Sequence, residues 1–147
     1  MNTVFLGTSG WQHRAWQESF YPDNLDDKNR LPYYAEQFRC VEVSESFYQL
    51  PERHVFARWI EVTPDNFQFT VLAPRVITHY KKLKGCENQV DTLLTRLRGL
   101  GDKIGPVVFQ LPPRWRCNLR RLEEFARRLP HEHRYVFEFR DATWHNL

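Results

Sequence analysis

The chain has 147 residues, enough for one ordinary domain with a sizeable core, and its 41% hydrophobic and 27% charged residues argue against intrinsic disorder. The net charge of +3 permits an anionic ligand but comes without the long basic runs of a nucleic-acid-binding tail. No basic segment leads into a long apolar stretch, so a soluble, cytoplasmic protein with no membrane partner is expected. Cys40, Cys86 and Cys117 are odd in number and widely spaced, which indicates reduced thiols rather than a disulfide framework or a zinc knuckle.

The first strand-like run covers residues 3–9 (TVFLGTS), and Leu31, Tyr34, Ala35 and Phe38 mark a helical stripe after it. Residues 40–47 (CVEVSESF) read as the second strand, and residues 51–62, with Val55, Phe56, Trp59 and Ile60, as the second helix. The third strand is expected over residues 67–74 (FQFTVLAP). Val90, Leu93, Leu94, Leu97 and Leu100 then recur on one helical face that stops near Gly99 and Gly101. Residues 106–112 (PVVFQLP) form the fourth run. Leu119, Leu122, Phe125, Ala126 and Leu129 make the last helix, capped by Asn118 and ended by Pro130. Residues 135–140 (YVFEFR) complete the pattern as the fifth strand.

Strands alternating with helix-length connections imply a parallel sheet with helical crossovers. Parallel strands covered on both faces should be apolar throughout, and these are not. Val41, Val43, Phe67, Phe69, Val71, Val107, Phe109, Phe137 and Phe139 alternate with Glu42, Gln68, Thr70, Gln110, Glu138 and Arg140. Helices must cover the apolar set, so the polar set converges on one inner face, which suits a barrel better than a doubly wound sheet. The expected fold is therefore α/β: an incomplete TIM-type (β/α)8 barrel of five parallel strands, one partial domain over residues 1–147. A closed barrel takes eight strands and about 250 residues, so the first and fifth strands are left as edges and self-association of the open arc is expected.

The segments GTSGW, FYP, VEVSESFYQLP, FQFTVLAPRVITH, GPVVFQLPP and FEFRDATW, in that order, closely resemble the YecE-like family, domain of unknown function seventy-two. The resemblance runs over essentially the whole chain and implies a TIM-type barrel without an established activity. The chain departs from the family pattern at Ser44 and Glu45 (usually Asn then Ser), at Leu72 (usually Lys), and at Asp141 and Ala142 (usually His and Pro). Three of these departures fall at strand ends, where a barrel carries its chemistry.

Glu42 and Glu138 are the candidate catalytic carboxylates, suited to acid and base roles if their environments differ. Arg140 is expected to satisfy Glu138, Glu42 or a ligand anion. Gln110 shares the inner face, His79 follows the third strand, and Arg114 follows the fourth beside Trp115, where a guanidinium and an indole could grip an anion or an aromatic group. Tyr48 and Trp144, in the matched segments past the second and fifth strands, complete the expected substrate-binding set. His131 and His133 precede the fifth strand and belong to the opposite face. No HExxH, GxGxxG or P-loop pattern occurs, so neither metal nor cofactor is expected. Three readings stand: an enzyme for a small polar or anionic substrate, sugar-like or phosphorylated; a nucleic-acid-binding or nucleic-acid-processing module built on Arg114, Arg116, Arg120, Arg121, Arg127 and Arg128; and a truncated chain without activity.

Overall fold

Each apolar stripe forms a helix and each alternating run a strand, in a computed structural model that describes residues 4–145. The strands are β1 (Gly7–Ser9), β2 (Cys40–Val43), β3 (Gln68–Leu72), β4 (Ile104–Gln110) and β5 (Tyr135–Glu138). They lie in one sheet in chain order, and every neighbouring pair is parallel. The connections carry α1 (Asp27–Gln37), α2 (Arg53–Glu61), α3 (Glu87–Leu97) and α4 (Leu119–Ala126). The fold is thus α/β, with β1 and β5 as the outer strands.

Val41, Val43, Phe69, Val71, Val107 and Phe109 are all at most 2% exposed, so the apolar half of each alternation is the core half. Full burial of such side chains is worth roughly 1.5–3 kcal/mol each. They pack on the helices: Trp59 of α2 stacks on Phe69 at 5.9 Å, and Phe125 of α4 meets Phe109 edge-on at 5.0 Å. The complementary positions Glu42, Thr70 and Gln110 are half-buried and Glu138 is exposed, so the polar half of each alternation points away from the apolar core. Close packing of α2 on the turn after α3 depends on Gly99, where a Cβ would lie 2.3 Å from the Arg53 carbonyl oxygen.

Two helix ends are satisfied by side chains. Asn118 Oδ1 accepts the Arg121 N–H at 3.1 Å and caps α4. Lys103 Nζ donates to the carbonyls of Ile60 (2.7 Å) and Thr63 (2.6 Å), closing the C-terminal end of α2.

Every strand differs in its bounds from the expected run: β3 is shorter (Gln68–Leu72 against 67–74), β4 is shifted by two residues (Ile104–Gln110 against 106–112), and the other three differ at one end. Thr3 lies outside the described residues, and Val4, Phe5 and Leu6 join no strand, because β2 begins only at Cys40, the partner of Gly7. The second run ends at Val43 rather than residue 47. Ser44 turns to a helical conformation and Glu45–Phe47 form a 3-10 turn, anchored by the buried Ser46 hydroxyl 2.5 Å from the carbonyls of Val43 and Leu72. The fifth strand ends at Glu138, leaving Phe139 and Arg140 beyond its pairing. After β3 the backbone enters a π-helical turn over Val76–Tyr80, a local widening that often marks functional positions.

Candidate functional site

Parallel strands deliver all their C-terminal ends to one side of the sheet. Register then decides which side chains meet there. Ser9 pairs with Glu42 and Glu42 with Thr70, while Gln110 pairs with Glu138. Ser9 Oγ donates to Glu42 Oε1 at 2.8 Å, and Gln110 Nε2 donates to Glu138 Oε2 at 3.0 Å. Each carboxylate is therefore oriented by the adjacent strand. Because β3 and β4 lie between β2 and β5, the two carboxylates stand about three strand spacings apart, roughly 14 Å along the sheet.

The expected contact of Arg140 with a carboxylate does not form: among the described residues neither Glu138 nor Glu42 makes an ion pair with it. The reason is local. Ladder pairing stops at Glu138, so Arg140 lies beyond the paired strand, and its charge bears instead on His79.

His79 sits on the π-helical turn, half-buried. Its Nδ1 lies 2.9 Å from the hydroxyl of fully buried Thr78, and its ring meets Phe47 edge-on at 4.9 Å. Burial lowers the imidazole below the ordinary histidine range, and the positive charges of Arg140 and Arg75 push it in the same direction. Arg75 opens the same turn, with its guanidinium carbon 5.1 Å from the Tyr48 ring centre and 5.3 Å from that of Tyr80. Both rings are exposed, Tyr48 at 72% and Tyr80 at 66%, so this cation–π sandwich stands at the surface of the strand-end face. The structure thus sets Arg75, Tyr48 and Tyr80 beside the turn that carries His79, and the charge of Arg140 bears on the same imidazole.

Other expected residues lie elsewhere in the arrangement. Arg114 is exposed at a left-handed backbone position (φ 67°), and no described contact joins it to His79. Trp144 is buried, stacks on Phe139 at 4.7 Å, and donates its indole N–H to the Trp115 carbonyl at 2.8 Å. Beside it Asp141 accepts from the Thr143 hydroxyl at 2.6 Å and from the Thr143 N–H at 3.0 Å, and these bonds hold its carboxyl below the usual range. Ser9 and Tyr80 were missed because strand register and the π-helical turn bring them in, and neither leaves a periodic signal in the sequence. Among the described residues no three of His, Cys, Asp and Glu gather in a metal-binding group, Cys40, Cys86 and Cys117 are free thiols, and no helix is long and apolar enough to cross a membrane.

The model of the family described as "Protein of unknown function DUF72" matches residues 5–146. The chain is 34% identical over 141 residues to the UPF0759 protein YecE of Escherichia coli (strain K12), covering 93% of this chain and 48% of that protein. It is 26% identical over 150 residues to the UPF0759 protein YunF of Bacillus subtilis (strain 168), covering 96% and 52%. The crystal structure of a DUF72 family protein from Thermotoga maritima MSB8 matches with a TM-score of 0.85 at 26% identity, over 99% of this chain and 59% of that one. A DUF72 family protein from Enterococcus faecalis V583 matches with a TM-score of 0.73 at 19% identity, over 97% and 53%, a likeness of fold alone. The chain spans about half the length of the curated relatives it matches. With five parallel strands and four crossover helices arranged as in a TIM-type barrel, and with the family match running over nearly its whole length, the chain belongs to the DUF72 family.

Proposed function

We propose that the strand-end face binds a small polar, anionic ligand of phosphorylated or sugar-like type. Arg75, Arg140 and His79 grip the anion, and Glu42 and Glu138 serve as proton-transfer groups oriented by Ser9 and Gln110. The observation that carries this reading is the Arg75 guanidinium held between the exposed Tyr48 and Tyr80 rings on the turn that bears His79, an imidazole on which the charges of Arg140 and Arg75 also bear. The charges of both guanidinium groups bear on one imidazole, and neither forms an ion pair among the described residues. Like charges gathered without a counter-ion are relieved by an incoming anion, and planar guanidinium groups meet a phosphate with paired N–H donors.

The nucleic-acid reading finds no matching support. Arg120 pairs with Glu124 at 2.9 Å, Arg127 with Glu123 at 3.8 Å and Arg128 with Glu87, so acidic partners already offset three of the six arginines of this segment.

Calorimetric titration with inorganic phosphate tests the proposal. Arg75→Gln and Arg140→Gln should each weaken binding by about tenfold, the scale of one lost charge-assisted contact, while Arg120→Gln leaves it unchanged. Equal affinity in the wild type and in both site variants would overturn it.

A further inference from the structure

Tyr48 has two sides. Arg75 stands over its ring at 5.1 Å, and the same residue lines a cleft of about 750 Å3 bounded also by Glu45, Gln49, Leu50, His54 and Trp59. That volume lies within the range of small-molecule sites, roughly 300–1,000 Å3. We propose that this cleft seats a hydroxylated ring, so that the ligand of the strand-end face is a sugar phosphate. The proposal rests on the anion-binding reading and extends it by naming what the phosphate is attached to.

One short turn builds the cleft wall. The Glu45 carbonyl accepts the backbone N–H groups of Tyr48 at 3.0 Å and of Gln49 at 2.9 Å, so the side chains of Glu45, Tyr48 and Gln49 issue from a fixed backbone. Trp59 of α2 is held in place by stacking on Phe69 at 5.9 Å and by an edge contact with Trp11 at 4.9 Å. The cleft therefore offers two aromatic surfaces in a set arrangement, one of them rigid.

Charge decides which part of a ligand belongs there. Arg96 also lines the cleft, but its guanidinium pairs with Glu52 at 2.6 Å and donates to the Leu50 carbonyl at 2.7 Å. Its charge is spent. Glu45 makes no ion pair among the described residues, so the cleft carries an uncompensated negative charge opposite in sign to the Arg75 side of the Tyr48 ring. A phosphate is repelled from the cleft and drawn to Arg75, Arg140 and His79. Hydroxyl groups suit the cleft instead: the Glu45 carboxylate and Gln49 carbonyl accept from them, the Gln49 amide donates to them, and aromatic faces cover the apolar side of the ring. The cleft and Arg75 meet at the Tyr48 ring, so a ligand with its sugar in the cleft directs its phosphate toward Arg75.

The test compares inorganic phosphate with glucose 6-phosphate, glucosamine 6-phosphate and ribose 5-phosphate by calorimetry, on the wild type and on the Glu45→Gln, Gln49→Ala double variant. At least one sugar phosphate should bind the wild type about tenfold more tightly than inorganic phosphate, the combined scale of a few hydrogen bonds. The double variant should bring the two close to parity while binding inorganic phosphate as before. Both positions are exposed, and an unchanged melting temperature confirms that the fold is retained. Parity in the wild type, or a preference that survives in the double variant, would overturn the cleft assignment and leave the anion site standing. Failure of all four ligands to bind would overturn both.

Discussion

Ser46 shows what one buried hydroxyl contributes. It is fully buried, and its Oγ lies 2.5 Å from both the Val43 and Leu72 carbonyls, tying the end of β2 to the end of β3. Ser46→Ala should cost about 1–3 kcal/mol, because carbonyls cut off from water lose their donor. A lower urea midpoint at unchanged slope would register this, and an unchanged midpoint would show that the hydroxyl does not hold the strand ends. His79 yields a pH prediction. Burial and the two arginines favour its neutral form, so the folded state binds fewer protons there than the unfolded chain. That contribution to stability is present above the ordinary histidine value, about 6.5, and is lost as pH falls through the lowered folded value. Anion binding runs the other way, since a protonated imidazole adds positive charge. Affinity for sulfate, whose own charge stays constant in this range, should rise as pH falls, and His79→Gln should flatten the profile. Glu42, Glu138 and Arg140 stand out in the sequence because they interrupt apolar runs. Their partners were not: whether Glu138 meets Arg140 or Gln110 depends on where ladder pairing ends, which composition does not encode.

The four long helices follow from apolar spacing, and the alternating strands from their period of two, so both were legible. The boundaries failed where local chemistry overrode the period. The run CVEVSESF looks extended to Phe47, yet the 3-10 turn begins at Glu45 because Ser46 gains two carbonyl neighbours by folding inward. The β-branched start of Val76–Tyr80 carries no helical stripe, so its π-helical turn was invisible although it places His79. Capping predicts stability at this scale. Asn118→Ala should cost about 1 kcal/mol through the lost α4 cap. Lys103→Met should cost about 1–2 kcal/mol, since the Ile60 and Thr63 carbonyls lose a charged donor at the end of α2. Thermal melts of the two variants check both, and wild-type melting temperatures would contradict the capping roles.

Among the described residues β1 and β5 are the outer strands of the sheet, each paired on one side, and Val136 of β5 is 44% exposed beside Glu138. Such edges recruit further strands. The 147-residue polypeptide should therefore associate with rising concentration in sedimentation equilibrium, and a strict monomer with a cooperative melt would show that this sheet needs no partner. The arc also gathers its strand ends on one side, so chemistry scattered across the sequence, from Tyr48 to Arg140, comes to share one surface. Anion binding at the His79 end of that surface is tested most directly by the proton titration of the His79 imidazole, followed by NMR with and without saturating sulfate and assigned by His79→Gln. Sulfate bound between Arg75 and Arg140 should raise the His79 pKa toward the ordinary range and leave the other histidines unmoved. A His79 titration that sulfate does not shift would contradict anion binding at this site.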